Sequence, residues 1–92
     1  VLFRSEVRQK DFWNLFDALP KSTKNQAVKA YETLNSNPNH PSLHFKSIHN
    51  TEPLYSVRIS RGYRALGLKE SNTITWFWIG SHSEYEKLIS RF

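Results

Sequence analysis

The spacing of apolar residues switches from a helical to a strand period at Leu43, and that switch limits what the chain can build. Before it, Phe12, Leu15, Phe16 and Leu19 recur at i, i+3, i+4 and i+7, which places them on one face of a helix. Ser5 is positioned to cap that helix and Pro20 to stop it. A second helix is predicted to start at Ser22 or Thr23, where Thr23 and Gln26 fit a capping box. Its stripe is Ala27, Ala30, Tyr31 and Leu34, and "NSNPNHP" ends it through Asn35, Pro38 and Pro41. The short joint at Pro20 implies an antiparallel helical hairpin. Ahead of it, "VLF" at 1–3 reads as a short strand.

From Leu43 onward the period is two. "LHFKSI" (43–48), "LYSVRIS" (54–60), "YRALGLK" (63–69) and "TITWFWIG" (73–80) all read as strands, and their short connections make an antiparallel meander. The last of them is apolar on both faces, as suits a central strand. Ser81 and Glu84 then form a second capping box, S-x-x-E, followed by Tyr85, Leu88, Ile89 and Phe92 at helical spacing. The expected fold is α+β, ordered β-α-α-β-β-β-α: an antiparallel sheet with an N-terminal helical hairpin on one face and a C-terminal helix.

With 92 residues there is room for one domain, read as 1–92, and 38% hydrophobic with 14% aromatic residues supplies a packed interior. Cysteine is absent, which removes disulfides and thiolate metal sites. No apolar run approaches the roughly 18 residues of a membrane span, and no signal-peptide pattern opens the chain, so a cytoplasmic location is expected. The chain opens at Val1 without a methionine, in keeping with missing first residues. A formal charge of +5 favours polyanions, RNA or DNA, or an acidic protein partner. The lysines and arginines are dispersed, so any anion site has to be assembled by folding.

The turn "SRG" at 60–62 decides which cations meet. A three-residue loop with Gly62 in the left-handed position pairs Ile59 with Tyr63 and sets Arg58 opposite Arg64 on one face. Tyr55, Val57, Ile59, Tyr63, Ala65 and Gly67 then share the other face, which looks like core. A two-residue turn would separate the arginines. Facing guanidiniums either spread into solvent, are bridged by a carboxylate such as Glu84, or clamp an anion whose oxygens match their forks. A hairpin through 69–72 sets Gly67 opposite Ile74 and Ala65 opposite Trp76, and returns "SHSEY" (81–85) beside the arginines.

Within that stretch His82 opens the last helix, where the macrodipole disfavours imidazolium, and the ring is expected to be neutral and usable in proton transfer. Tyr85 belongs to an apolar stripe, yet its hydroxyl can emerge at the site edge; Ser81 and Glu84 read as caps. Lys46, in a strand, can add to an anion field. His40, His44 and His49 are irregularly spaced with no carboxylate nearby and give no metal motif. There is no Gly-rich phosphate loop or nucleophile elbow. Of the tryptophans, Trp13 is the one expected at the surface, with Trp76 and Trp78 in the core.

In order along the chain, "FDALP" (16–20), "AVKAYETLNSNPNHPSLHFK" (27–46), "LYSVRISRGYRALG" (54–67) and "ITWFWIGSHSEYEKLI" (74–89) resemble the RelE/ParE superfamily of bacterial toxins. The resemblance implies one of two activities: metal-independent cleavage of mRNA on the ribosome, or, in the ParE branch, poisoning of DNA gyrase. A toxin-like domain without activity is a further alternative. It also implies an antitoxin that wraps the toxin, and no cofactor. By position, Arg64 corresponds to the arginine of the third-strand "YR" motif, Arg58 to the second-strand arginine, and Lys46 to the basic residue after the helices. His82 and Tyr85 match the terminal His/Tyr pair, although here they are spaced apart and run into a helix. The expected catalytic set is therefore Arg58, Arg64, His82 and Tyr85, with Lys46 and Arg61 contacting RNA.

Overall fold

The computed structural model describes residues 4–6, 10–71 and 73–91, with side chains from Phe12 onward. The elements run β1 (Arg4–Glu6), α1 (Lys10–Asp17), α2 (Lys21–Ser36), a 3₁₀ turn (Pro41–Leu43), β2 (Lys46–Ser47), β3 (Leu54–Ser60), β4 (Tyr63–Glu70), β5 (Thr73–Ser81) and α3 (His82–Ile89). The sheet order is β1-β5-β4-β3-β2. The meander from β2 to β5 is antiparallel, and β1 adds to β5 in parallel. This is the expected α+β architecture, with β5 and β4 central. The segment "VLF" lies outside the described residues.

The helices form where their apolar stripes demand it, but their starts differ from the sequence expectation. Ser5 does not cap α1: it lies in β1, paired with Ile74, because strand addition satisfies its backbone instead. Thr23 does not cap α2 either. The helix begins at Lys21 behind Pro20, whose φ of −58° is preset by its ring, and the Lys24 amide donates to the Pro20 carbonyl at 2.9 Å. Thr23 is instead buried within the first turn. Phe12, Ala27, Ala30 and Leu34 face the sheet, where they meet Val57, Ala65, Ile74, Trp76 and Ile79. Tyr31, expected in that stripe, stands at 40% exposure on its margin. The expected strand 43–48 is shorter: Leu43 closes the 3₁₀ turn, His44 follows at φ 45°, and pairing starts only at Lys46.

Two irregularities in the sheet correct the predicted registers. On β3, Arg58 pairs with Arg64 but Ser60 with Tyr63, so Ile59 is an extra residue, a β-bulge. On β5, Leu66 pairs with Trp78 but Gly67 with Trp76, so Phe77 is extra. Gly67 is therefore opposite Trp76 rather than Ile74, and Ala65 is opposite Ile79 rather than Trp76. The turn between these strands is tighter than expected, since Glu70 already pairs with Thr73, and Ser71 takes φ 53° to make it. The principle of small against large survives. A Cβ on Gly67 would lie 2.7 Å from Trp76 Cε3 and 2.8 Å from Ile74 Cγ2, so only glycine leaves those side chains room. The Phe77 bulge lets Ile74, Trp76 and Ile79 all enter the helix-covered core although an unbroken alternation would separate them.

Candidate active site

The opposite face of the sheet carries the charge. Arg58 and Arg64 stand directly across from each other there, the pairing expected from sequence, but the turn that produces it is different. Only Arg61 and Gly62 connect β3 to β4, and among the described glycines none has positive φ. A plain two-residue turn would have set the arginines on opposite faces; the Ile59 bulge shifts β3 by one residue and brings them back together.

The two guanidiniums are not equivalent. Arg64 Nη1 donates to the carbonyl oxygens of Ser60 at 2.7 Å and Tyr63 at 2.9 Å, with a longer contact of 3.5 Å to that of Arg61. It closes its own hairpin turn. Burial pulls the Arg64 guanidinium below its ordinary value, and the charge of Arg58 adds to this, while Tyr85 and Glu86 act in the other direction. An arginine so perturbed is still a cation at neutral pH. Arg58 is half-buried beside it.

Helix α3 is delivered to this point by its cap. The Glu84 amide donates to Ser81 Oγ at 3.2 Å, and the Ser81 amide and hydroxyl donate to Glu84 Oε1 at 3.4 and 2.9 Å, so the capping box expected from S-x-x-E is complete. Glu84 is thus engaged in the cap, and it is not among the residues that line the cavity with the two arginines. The His82 amide donates to the Gly62 carbonyl at 2.8 Å, fastening the start of α3 to the arginine hairpin. His82 Nε2 lies 3.2 Å from Glu86 Oε1, one helical turn on, which gives the ring a carboxylate partner. Tyr85 is buried, as its stripe implied, with its ring centroid 5.9 Å from that of His82.

These side chains line one small cavity of about 170 Å³, shared by Arg58, Arg64, His82, Tyr85 and Lys46 together with His44, Ser56 and Glu86. Five of the six residues expected from sequence thus come together. Arg61 does not: it is exposed at the turn tip, outside the cavity wall. Of the other lining residues, two are titratable and outside the set expected from sequence, Glu86 and His44. Glu86 carried a readable signal, being four residues after His82 on one helix face. His44 carried none in its spacing, because it lies outside β2 with a left-handed backbone at φ 45°. Among the described residues no group of three or more His, Asp or Glu is placed to hold a metal ion.

A second concavity lies on the other side of the sheet. Between α1 and α2, over Val57, Ile59 and Trp76, runs an open apolar cleft of about 350 Å³. Trp13 and Val28 form part of its wall at 48% and 49% exposure, so Trp13 is the surface tryptophan the sequence suggested.

This combination of a helix-covered sheet with a basic opposite face defines a class, the RelE-type toxin fold. The RelE toxin in the RelB–RelE complex of Methanococcus jannaschii is similar at a TM-score of 0.69 and 20% identity, covering 96% of this chain and 98% of that one. The RelBE2 complex of Mycobacterium tuberculosis matches at 0.70 with 16% identity, over 89% of this chain and 100% of that one. YafQ of Escherichia coli matches at 0.70 with 10% identity, over 90% and 97%. At such identities the likeness speaks for the fold. No curated protein sequence matches the chain. The ParE-like toxin domain model does, over residues 21–87, and the chain belongs to that family. Among the described residues no helix is long and apolar enough to cross a membrane.

Proposed function

We propose that this domain is the toxin of a toxin–antitoxin pair and acts as a ribosome-dependent mRNA endoribonuclease. The observation that carries the reading is the pairing of Arg58 with Arg64 at the wall of a cavity that His82 and Tyr85 also line. Cleavage within a chain of ribonucleotides needs a base for the 2′-hydroxyl, charge stabilisation at phosphorus and an acid for the 5′-oxygen. Two guanidiniums supply fixed positive charge to the phosphoryl oxygens as they gain charge in the transition state. His82 or Tyr85 supplies proton transfer, typically worth about 10²–10⁴-fold. Lys46 extends the positive field along the RNA, and Arg61 at the turn tip can meet a neighbouring phosphate.

The partner is an antitoxin protein, and the apolar cleft between α1 and α2 is its docking surface. The structures from M. jannaschii and M. tuberculosis are toxin–antitoxin complexes, and a net charge of +5 suits an acidic segment that orders on binding. Ribosome and mRNA are the targets.

Induced expression with separate readouts tests the function. Prompt arrest of protein synthesis with mapped mRNA cuts supports it. DNA breaks without cuts would point to gyrase, and unchanged growth would point to a toxin-like domain without activity.

A further inference from the structure

We infer that His44 is a second proton-transfer residue of this site, the base that complements His82 as the acid; the inference rests on the nuclease reading above. The four histidines divide by what their rings do. His40 Nδ1 takes hydrogen bonds from the Ser42 amide at 3.2 Å and its hydroxyl at 2.8 Å. His49 Nδ1 accepts from the amides of Thr51 at 3.2 Å and Glu52 at 3.0 Å. Those two rings hold turns. The His44 and His82 rings both line the cavity that contains Arg58 and Arg64. Of this pair, His82 has a carboxylate acceptor in Glu86, whereas the His44 ring makes no hydrogen bond, ion pair or ring contact among the described residues.

The backbone at His44 adds a second observation. Its φ of 45° and ψ of 40° lie in the left-handed region, where a side chain is disfavoured and glycine would sit without strain. That conformation caps the 3₁₀ turn Pro41–Leu43, and a disfavoured backbone beside a cavity is a common mark of a working residue.

The chemistry divides accordingly. An imidazole with no acceptor of its own offers a nitrogen lone pair to the 2′-hydroxyl. As His44 takes that proton, the 2′-oxygen forms a bond to phosphorus. The bond from phosphorus to the 5′-oxygen breaks, its electron pair stays on that oxygen, and His82 supplies the proton. The products are a 2′,3′-cyclic phosphate and a 5′-hydroxyl, with no change in oxidation state. The charged and titratable groups facing the two rings are Lys46 from β2, Arg58 from β3, Arg64 from β4, and Tyr85 and Glu86 from α3.

The test uses the full chain on programmed ribosomes, with mRNA carrying either the natural 5′-oxygen or a bridging sulfur at the mapped cut position. A thiolate leaves without protonation, so the sulfur substrate dispenses with the acid but not with the base. His44→Gln and His82→Gln are each expected to cut natural mRNA about 10²-fold or more slowly than the wild type. Sulfur substitution should restore His82→Gln and leave His44→Gln slow. His44→Asn, which keeps a residue tolerant of the left-handed backbone, is expected to behave as His44→Gln and separates chemistry from folding. Wild-type rates in either His44 variant, or rescue of His44→Gln by sulfur, would overturn the inference and leave the nuclease reading standing. A wild-type chain that cuts no mRNA would overturn both.

Discussion

Arg64 Nη1 donates to the carbonyl oxygen of Ser60 at 2.7 Å, across the base of the two-residue turn that joins β3 to β4. The same side chain therefore holds its hairpin closed and contributes charge to the cavity. Among the described residues Arg58, its partner across the strands, has only the second task, and this asymmetry gives different stability effects for two otherwise similar substitutions.

Arg64→Ala removes hydrogen bonds to part-buried carbonyls and should lower the unfolding free energy by about 1–2 kcal/mol. Arg58→Ala removes a like charge directly opposite another and should leave stability unchanged or raise it by a few tenths of a kcal/mol. Chemical denaturation of both variants checks the pair. An Arg64→Ala variant as stable as the wild type would mean that the turn does not depend on the guanidinium. Arg64→Lys should fall between, because an ammonium keeps the charge and loses the planar fork.

Glu86→Gln leaves the shape of α3 but deprives His82 of its carboxylate. Both side chains are well exposed, at 46% and 57%, so the pair contributes at most about 1 kcal/mol to stability. Melting should barely move, while mRNA cleavage should slow several-fold if the carboxylate orients the ring. Equal cleavage rates in Glu86→Gln and the wild type would reduce the ion pair to a surface contact.

Gly67→Ala tests the packing. The new methyl would meet Trp76 and Ile74 below 3 Å, between two central strands that cannot separate, and a loss of about 1–3 kcal/mol is expected. A variant of unchanged stability would mean that the Trp76 ring has room to withdraw.

Val28→Glu tests the cleft. Val28 is 49% exposed, so the fold should tolerate the change, yet a carboxylate in an apolar wall facing an acidic partner should weaken antitoxin binding about tenfold or more. Titration calorimetry with the antitoxin measures it. Unchanged affinity would place the antitoxin elsewhere on the toxin.

Much of this was legible in the sequence, and the failures share a cause. The strands β3 and β5 and the capped start of α3 follow from local pattern, because alternation and S-x-x-E act over a few residues. Ser5 and Thr23 fit capping patterns yet cap nothing, because other structure decides there: pairing with β5 for one, a proline-set helix start for the other. The facing arginines were expected from a three-residue loop, while the chain uses a shorter turn and a bulge at Ile59, two one-residue changes that cancel. Nothing in the residue types of "RISRGYR" announces a bulge. The place of His44 is not legible in the sequence, because it depends on a left-handed backbone at the end of a 3₁₀ turn, a feature of the fold rather than of spacing.

The central claim is that the basic cavity cuts RNA, and the most direct measurement is cleavage of ribosome-bound mRNA by Arg58→Ala and His82→Gln, each with a thermal melt alongside. Neither side chain holds the core, so both variants should melt close to the wild type. The account predicts that each cuts about 10²-fold or more slowly, with Arg58→Ala losing charge stabilisation and His82→Gln losing proton transfer. Wild-type cleavage by both variants would contradict it and would make the facing arginines a binding surface rather than an active site.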